Sequence, residues 1–213
     1  MNIKRFTFNH FQTNCYVVWD EATGQCAIVD PAMKMAHEDD ELEQFIARQG
    51  LTPVHILLTH PHVDHIAGLR HVCERYSLPV TLHPEGIAML GQARLYASVM
   101  DFDTDNADDL PRVEVQDNDT VALGEGSMEV RYVPGHCPGS VVYVLHDDKV
   151  VLTGDALFRC SIGRTDFPGG DAETLITKLK TRVLTLPDDY TVLPGHGTHT
   201  TVGDEKRYNG FLQ

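Results

Sequence analysis

Long apolar runs are missing from this 213-residue chain. No stretch approaches the roughly 18 residues that a membrane-crossing helix needs. The opening Met1-Asn2-Ile3-Lys4-Arg5-Phe6 also lacks an apolar core followed by a small-residue cleavage site. Neither a spanning segment nor an export signal is expected, and no membrane partner. Positive charge is scarce as well: 17 Lys and Arg stand against 31 Asp and Glu, a formal net charge of -14. A nucleic-acid partner is therefore not expected, because phosphate binding is driven by Lys and Arg and by counterion release. The five cysteines, Cys15, Cys26, Cys73, Cys137 and Cys160, are odd in number and irregularly spaced, with no CxxC pair. That excludes a disulfide framework and a zinc ribbon, and fits a reducing, cytoplasmic setting. There is no fixed-period repeat, and the length suits a single domain spanning residues 1–213.

What is present reads as alternating strands and helices. Asn14 to Trp19 and Gln25 to Val29 look like strands joined by Asp20-Glu21-Ala22-Thr23-Gly24, a hairpin turn with glycine available for a positive backbone angle. Residues 37–49 read as an amphipathic helix, with acids in the first turn, Leu42, Phe45 and Ile46 on one face, and Gly50 as the stop. An apolar strand over 54–58 follows. Ile66, Leu69, Cys73 and Tyr76 are spaced for one face of a second helix, with Pro79 ending it and a short strand at 80–82. Residues 84–111 suggest a helical insertion ending in an acidic loop of Asp101, Asp103, Asp105, Asp108 and Asp109, either a flap over a site or a solvated connector, with charge runs favouring the connector. Strands are expected at 121–123, 128–133, 141–145, 150–152 and 191–193, and a helix from about Ala172 to Val183. Both halves pass from strands to a helix, so the expected class is α/β, with two sheets face to face and helices outside.

Thr59-His60-Pro61-His62-Val63-Asp64-His65 packs three histidines and an aspartate directly after the apolar run Val54, Ile56, Leu57, Leu58. A histidine-rich surface loop could read this way in isolation. Alternate residues leaving a strand point the same way, so His60 and His62 can grip one cation while Asp64 and His65, on the following turn, face a second. Three more ligand-type residues wait downstream, each where a strand stops and each after a glycine: His136 in Pro134-Gly135-His136, Asp155 in Thr153-Gly154-Asp155, and His196 in Pro194-Gly195-His196-Gly197. A glycine there lets the backbone turn sharply and aim the side chain into a shared cleft.

In this combination the chain resembles the metallo-β-lactamase superfamily, over nearly its whole length. The resemblance implies a four-layer αββα sandwich, the metallo-β-lactamase fold. It also implies one metal on His60, His62 and His136, a second on Asp64, His65 and His196, and Asp155 between them. Two divalent ions are expected as cofactors, zinc first, with iron or manganese also compatible with mixed imidazole and carboxylate ligands. The major class B β-lactamases lack the second-site histidine supplied here by His65, and the superfamily's nucleases carry an inserted domain or RNA arm for which this acidic chain has no room. Gly154-Asp155-Ala156-Leu157-Phe158, the run from Ser161 to Gly170, and the ending from Pro194 through Leu212 look like the short glyoxalase II-like bacterial proteins. The family's glycyl-carboxylate lysine is matched by Arg164, which makes Arg164 the candidate substrate contact; the tyrosine two further on is replaced by Asp166. The sequence ends at Gln213, so the C-terminal helical domain of full-length glyoxalase II is expected to be absent.

The implied activity is hydrolysis of a small-molecule thioester, of the S-lactoylglutathione type, by a hydroxide bridging the metals, with Asp64 orienting it or receiving its proton. A glutathione conjugate is thus the expected partner, and the oligomeric state is open. One alternative is a persulfide dioxygenase holding a single Fe(II) on His60, His136 and Asp155. Another is a non-catalytic metal-binding partner protein. Cys137, next to His136, is expected to be a small wall residue with no base assigned to it.

Overall fold

A computed structural model gives the fold and describes residues 1–104 and 107–213. The first half begins with an antiparallel meander of β1 (Asn2–Phe8), β2 (Thr13–Trp19) and β3 (Gln25–Val29). Helix α1 (Ala36–Gln49) then crosses over to β4 (Thr52–Leu57), which lies parallel to β3. Helix α2 (Leu69–Tyr76) returns the chain to β5 (Val80–Leu82). A 3-10 turn at Pro84–Gly86 leads into short helices α3 (Ile87–Leu90) and α4 (Ala93–Val99), and β6 (Arg112–Glu114) completes a sheet in the order β1-β2-β3-β4-β5-β6.

The second half lays down β7 (Thr120–Leu123), β8 (Gly126–Tyr132), β9 (Val141–Leu145) and β10 (Val150–Gly154) as another meander. A small hairpin, β11 (Leu157–Phe158) and β12 (Ser161–Ile162), precedes helix α5 (Ala172–Lys178), which widens into a π-helical turn at Leu179–Val183. Strand β13 (Thr191–Pro194) pairs parallel to β10, then come β14 (Thr200–Thr201) and helix α6 (Val202–Tyr208), giving the order β14-β13-β10-β9-β8-β7.

Period-two alternation explains how these sheets stack. Val17 and Ile28 face outward onto Leu42 and Ile46 of α1 and Leu69 and Val72 of α2. Their neighbours Tyr16, Val18, Ala27 and Val29 face inward and meet Val130, Tyr143 and Leu152 of the second sheet. On the far side, Val142, Val144, Val151 and Val192 pack against Leu175, Leu179 and Val202 of the C-terminal helices. The result is a four-layer αββα sandwich, as expected. Among the described residues no helix is long and apolar enough to cross a membrane.

Some expectations are corrected. Residues 84–111 are not a solvated connector: Met89, Ala93, Tyr96 and Met100 wall a cleft above the histidine motif. Of the acidic run, Asp101 pairs with Lys34 and Asp109 with Arg70, while Asp105 lies outside the described residues. Strands β1 and β6, the two edges of the first sheet, and helix α6 went unread in the sequence.

Candidate metal centre

Loops leaving the strand ends of both sheets converge at one edge of the sandwich. The nitrogens of His60, His62 and His136 form one group whose donor atoms lie within 4.8 Å of one another, and Asp64, His65 and His196 form a second. Asp155 stands between them: its Oδ1 is 3.3 Å from His65 Nε2, and its Oδ2 is 3.4 Å from His196 Nε2 and 3.7 Å from His136 Nε2. Asp64 Oδ2 lies 3.4 Å from His65 Nε2 and 3.3 Å from His196 Nε2. All seven residues singled out in the sequence therefore meet. Arg164 reaches the cleft wall, but its Nε and Nη2 each donate to Asp166, at 2.7 Å, and its guanidinium sits 3.8 Å over the Phe167 ring.

The imidazoles are aimed from behind, by groups the sequence did not reveal. His136 Nδ1–H donates to the Arg164 carbonyl at 2.8 Å and His196 Nδ1–H to the Phe11 carbonyl at 3.1 Å; a carbonyl only accepts, so the tautomer is fixed. Asp30 accepts from the Thr59 backbone N–H (2.7 Å), from Thr59 Oγ1 (2.6 Å) and from His65 Nδ1 (3.0 Å). Thr59 Oγ1, having given its proton to Asp30, accepts from His60 Nδ1 at 3.0 Å. Thr13 donates to Asp64 Oδ2 at 2.8 Å. Asp30, His60 and His65 also cluster closely. With both Asp30 oxygens engaged by Thr59 and His65, however, Asp30 orients the histidines and is not itself a donor. Its signal in the sequence was Val29-Asp30-Pro31, an acid at a strand end with no glycine before it.

This backing leaves the forward-facing atoms without partners. Among the described residues, His60 Nε2, His65 Nε2 and Asp155 Oδ1 are buried and accept or donate no hydrogen bond. His62 presents its other nitrogen, Nδ1, 2.8 Å from His136 Nε2. Buried polar atoms are almost always paired, so converging orphans of this kind are what a cation site requires.

The glycines before the donors serve two different purposes. Gly135 and Gly154 adopt positive φ, 120° and 48°, as the sequence suggested. Gly195 does not; a Cβ there would lie 2.2 Å from Asp155 Oδ1 and 2.7 Å from His65 Cε1, so its role is to leave room. Gly163 is tighter still, with a Cβ 1.8 Å from the Asp155 carbonyl.

Electrostatics divides the centre. Burial, then neighbouring imidazoles, push His60 down, and burial followed by His136 lowers His62 to about 3, so these rings are neutral with lone pairs available. Burial also opposes charge on His196, but hydrogen bonds to Asp155 and Asp64 outweigh it and raise the ring to about 9; His65, likewise against its burial, is raised by the negative charges of Asp64, Asp155 and Asp30. Asp155 is held low against its burial by His65 and His196. Chelated protein should therefore lose stability in both directions from about pH 6.5. Upward, the raised His196 gives stability that is full below about 6.5 and gone above about 9. Downward, the unfolded chain protonates at His60 and His62 while burial resists this in the folded chain, at His62 until about 3. Thermal melts in chelator across this range check it, and a flat profile would contradict it.

Cys137 is buried, with Sγ 3.2 Å from Ser140 Oγ and its thiol pushed up to about 12 by burial. Cys137→Ser should leave turnover within about tenfold, a barrier change near 1.4 kcal/mol. A thousandfold loss in steady-state assay would make the thiol a nucleophile.

Comparison with known proteins points the same way. The family model described as the metallo-beta-lactamase superfamily matches residues 9–196. Hydroxyacylglutathione hydrolase GloC of Haemophilus influenzae is 37% identical, with 100% of this chain and 98% of that protein covered. The mitochondrial persulfide dioxygenase ETHE1 of Bos taurus is 31% identical over 94% of this chain and 71% of its own length. Among solved structures, TTHA1623 in a di-iron-bound form superposes with a TM-score of 0.88 at 34% identity, covering 98% of this chain and 100% of that one.

Proposed function

The chain belongs to the metallo-beta-lactamase superfamily, and from that premise we propose that it is a metal-dependent hydrolase of thioesters, of the hydroxyacylglutathione hydrolase type. The observation that carries this reading is the set of buried, partnerless donors, His60 Nε2, His65 Nε2 and Asp155 Oδ1, converging from both sheets. The donor set fits two divalent cations. His60, His62 and His136 would hold one, Asp64, His65 and His196 the other, and Asp155 would touch both. Ions bound there would lower the pKa of water and polarise the thioester carbonyl. Mixed imidazole and carboxylate donors suit zinc, iron and manganese alike.

The protein's own groups do the rest. The carbonyls of Arg164 and Phe11 and the Thr59–Asp30 pair hold the imidazoles in the tautomers that present Nε2 forward. Thr13 holds the Asp64 carboxylate at the cleft floor, where it would orient the attacking water and take its proton. A thiol is acidic enough to leave without a strong general acid. S-lactoylglutathione is the first substrate to assay.

One observation favours a second reading. His60, His136 and Asp155 by themselves make a two-histidine, one-carboxylate set, and the persulfide dioxygenase ETHE1 is among the relatives. Metal analysis of protein purified without added metal, with thioester hydrolysis and glutathione-persulfide-dependent oxygen uptake measured on the same sample, separates the two. About two metals with hydrolysis and no oxygen uptake supports the hydrolase. About one iron with oxygen uptake supports the dioxygenase.

A further inference from the structure

The cleft above the donor cluster is walled by hydrocarbon on three sides. Met89, Tyr96 and Met100 of the insertion form one wall, Phe11 of the β1–β2 turn another, and Phe167 with Pro168 a third. The cleft encloses about 240 Å³, below the roughly 300–1,000 Å³ usual for a drug-sized ligand. It therefore takes one arm of a conjugate and not the whole.

The insertion wall is tied down. His10 Nε2–H donates to the Met100 carbonyl at 3.1 Å, and Lys34 pairs with Asp101 at 3.0 Å. Phe102 packs edge-on against Phe11 with centroids 5.4 Å apart. Phe11 is nonetheless 42% exposed, so part of its ring faces open space.

The cleft walls offer an anionic ligand few partners. Among the described lining residues the one permanent cation is Arg164, and its fork is occupied by Asp166 while Phe167 lies beneath it. Asp64 and Asp155 lie at the floor, where bound cations would offset their charge, so the walls decide which arm of a substrate is favoured there. Along the walls a glutathione carboxylate would have to share the Arg164 guanidinium with Asp166, which already neutralises it. An alkyl or aryl group loses nothing and gains from leaving water.

We propose that the preferred substrate is a thioester with one apolar arm, about the size of an aromatic ring or a six-carbon chain, seated against Phe11, Met89, Tyr96 and Phe167. This rests on the thioester-hydrolase reading for turnover and moves its preferred substrate from the glutathione conjugate to an apolar thioester. In the reaction the water oxygen bonds to the acyl carbon, the C–S bond breaks, and its electron pair leaves on sulfur, giving a carboxylic acid and a thiol.

The test has two arms on the metal-loaded protein. In the first, kcat/KM is measured for acetyl, butyryl and hexanoyl thioesters of a small neutral thiol, and for acetyl thioesters of ethanethiol and hexanethiol. Whichever series rises identifies the arm, acyl or thiol, that enters. The expected rise is about fourfold per methylene, or about fifteenfold from butyryl to hexanoyl. Tyr96→Ser and Met89→Ser should flatten it, whereas Leu95→Ser, 65% exposed and off the cleft wall, should not. In the second arm, titration calorimetry of butyrate and hexanoate, and of ethanethiol and hexanethiol, reads the cleft without turnover. Tighter binding with chain length but no hydrolysis of any thioester would keep the cleft assignment and remove the hydrolase reading. Flat series in both arms, or S-lactoylglutathione turned over faster than every apolar thioester, would overturn the proposal.

Discussion

Asp155→Ala should abolish hydrolysis, by at least about a thousandfold or 4 kcal/mol of barrier, and lower bound metal from about two ions per chain to less than one. The size follows from position. Among the described residues, Asp155 is the one carboxylate whose two oxygens lie within 3.7 Å of histidines from both donor groups. Its Oδ1 is buried and has no hydrogen-bond partner. Removing it also takes a counter-charge from His65 and His196, so the chelated variant should show His196 titrating below its present value of about 9, a shift readable by NMR. Normal metal content with activity retained would sink the two-ion assignment. Loss of activity with both metals kept would make Asp155 a catalytic group only.

Gly163→Ala should be almost as damaging although it removes nothing. An added Cβ would sit 1.8 Å from the Asp155 carbonyl oxygen and 3.0 Å from His136 Nδ1, and backbone cannot yield as a side-chain tip can. The loop must retreat, carrying the neighbouring Arg164 carbonyl away from the 2.8 Å bond that fixes the His136 tautomer. Overpacking of this kind costs about 1–3 kcal/mol, and the lost orienting bond about 10–100-fold in metal affinity. The expected readout is a melting point lower by about 2–12 °C, with weakened metal binding. Gly210→Ala, where a Cβ meets nothing within 4 Å, is the matched control and should change neither. A Gly163→Ala protein with wild-type metal affinity would mean that the loop moves without disturbing His136.

The donors could be read in the sequence because each follows an apolar run and a punctuating turn, a pattern that needs no knowledge of what lies across the fold. Their supports could not. Two of them, at Phe11 and Arg164, are backbone carbonyls, which every residue possesses. Asp30 and Thr13 are ordinary polar residues until the chain brings His65 and Asp64 to them from 35 and 51 positions away. The unread strands fail for a related reason. In β1, exposed Lys4, Arg5 and Thr7 break up the apolar signal of an edge strand, and all three residues of β6 are exposed, so backbone pairing with β5 alone makes it a strand. Arg164 was legible as a cation, but its engagement by Asp166 and Phe167 depends on how the loop folds.

The joint between the two sheets also has a meaning in time. His62 and His136 are 74 positions apart, and the bond from His196 to Phe11 spans 185. Closing such loops costs chain entropy before any contact repays it, and the parallel pairs β3–β4 and β10–β13 add further non-local closure. The donor cluster should therefore assemble late on the folding route, after both meanders have formed and docked. A cation clasping it acts on contacts absent from the transition state, so it should slow unfolding and leave the refolding rate nearly unchanged. Stopped-flow measurements with and without metal would show this, and an equal acceleration of refolding would place the cluster in the folding nucleus.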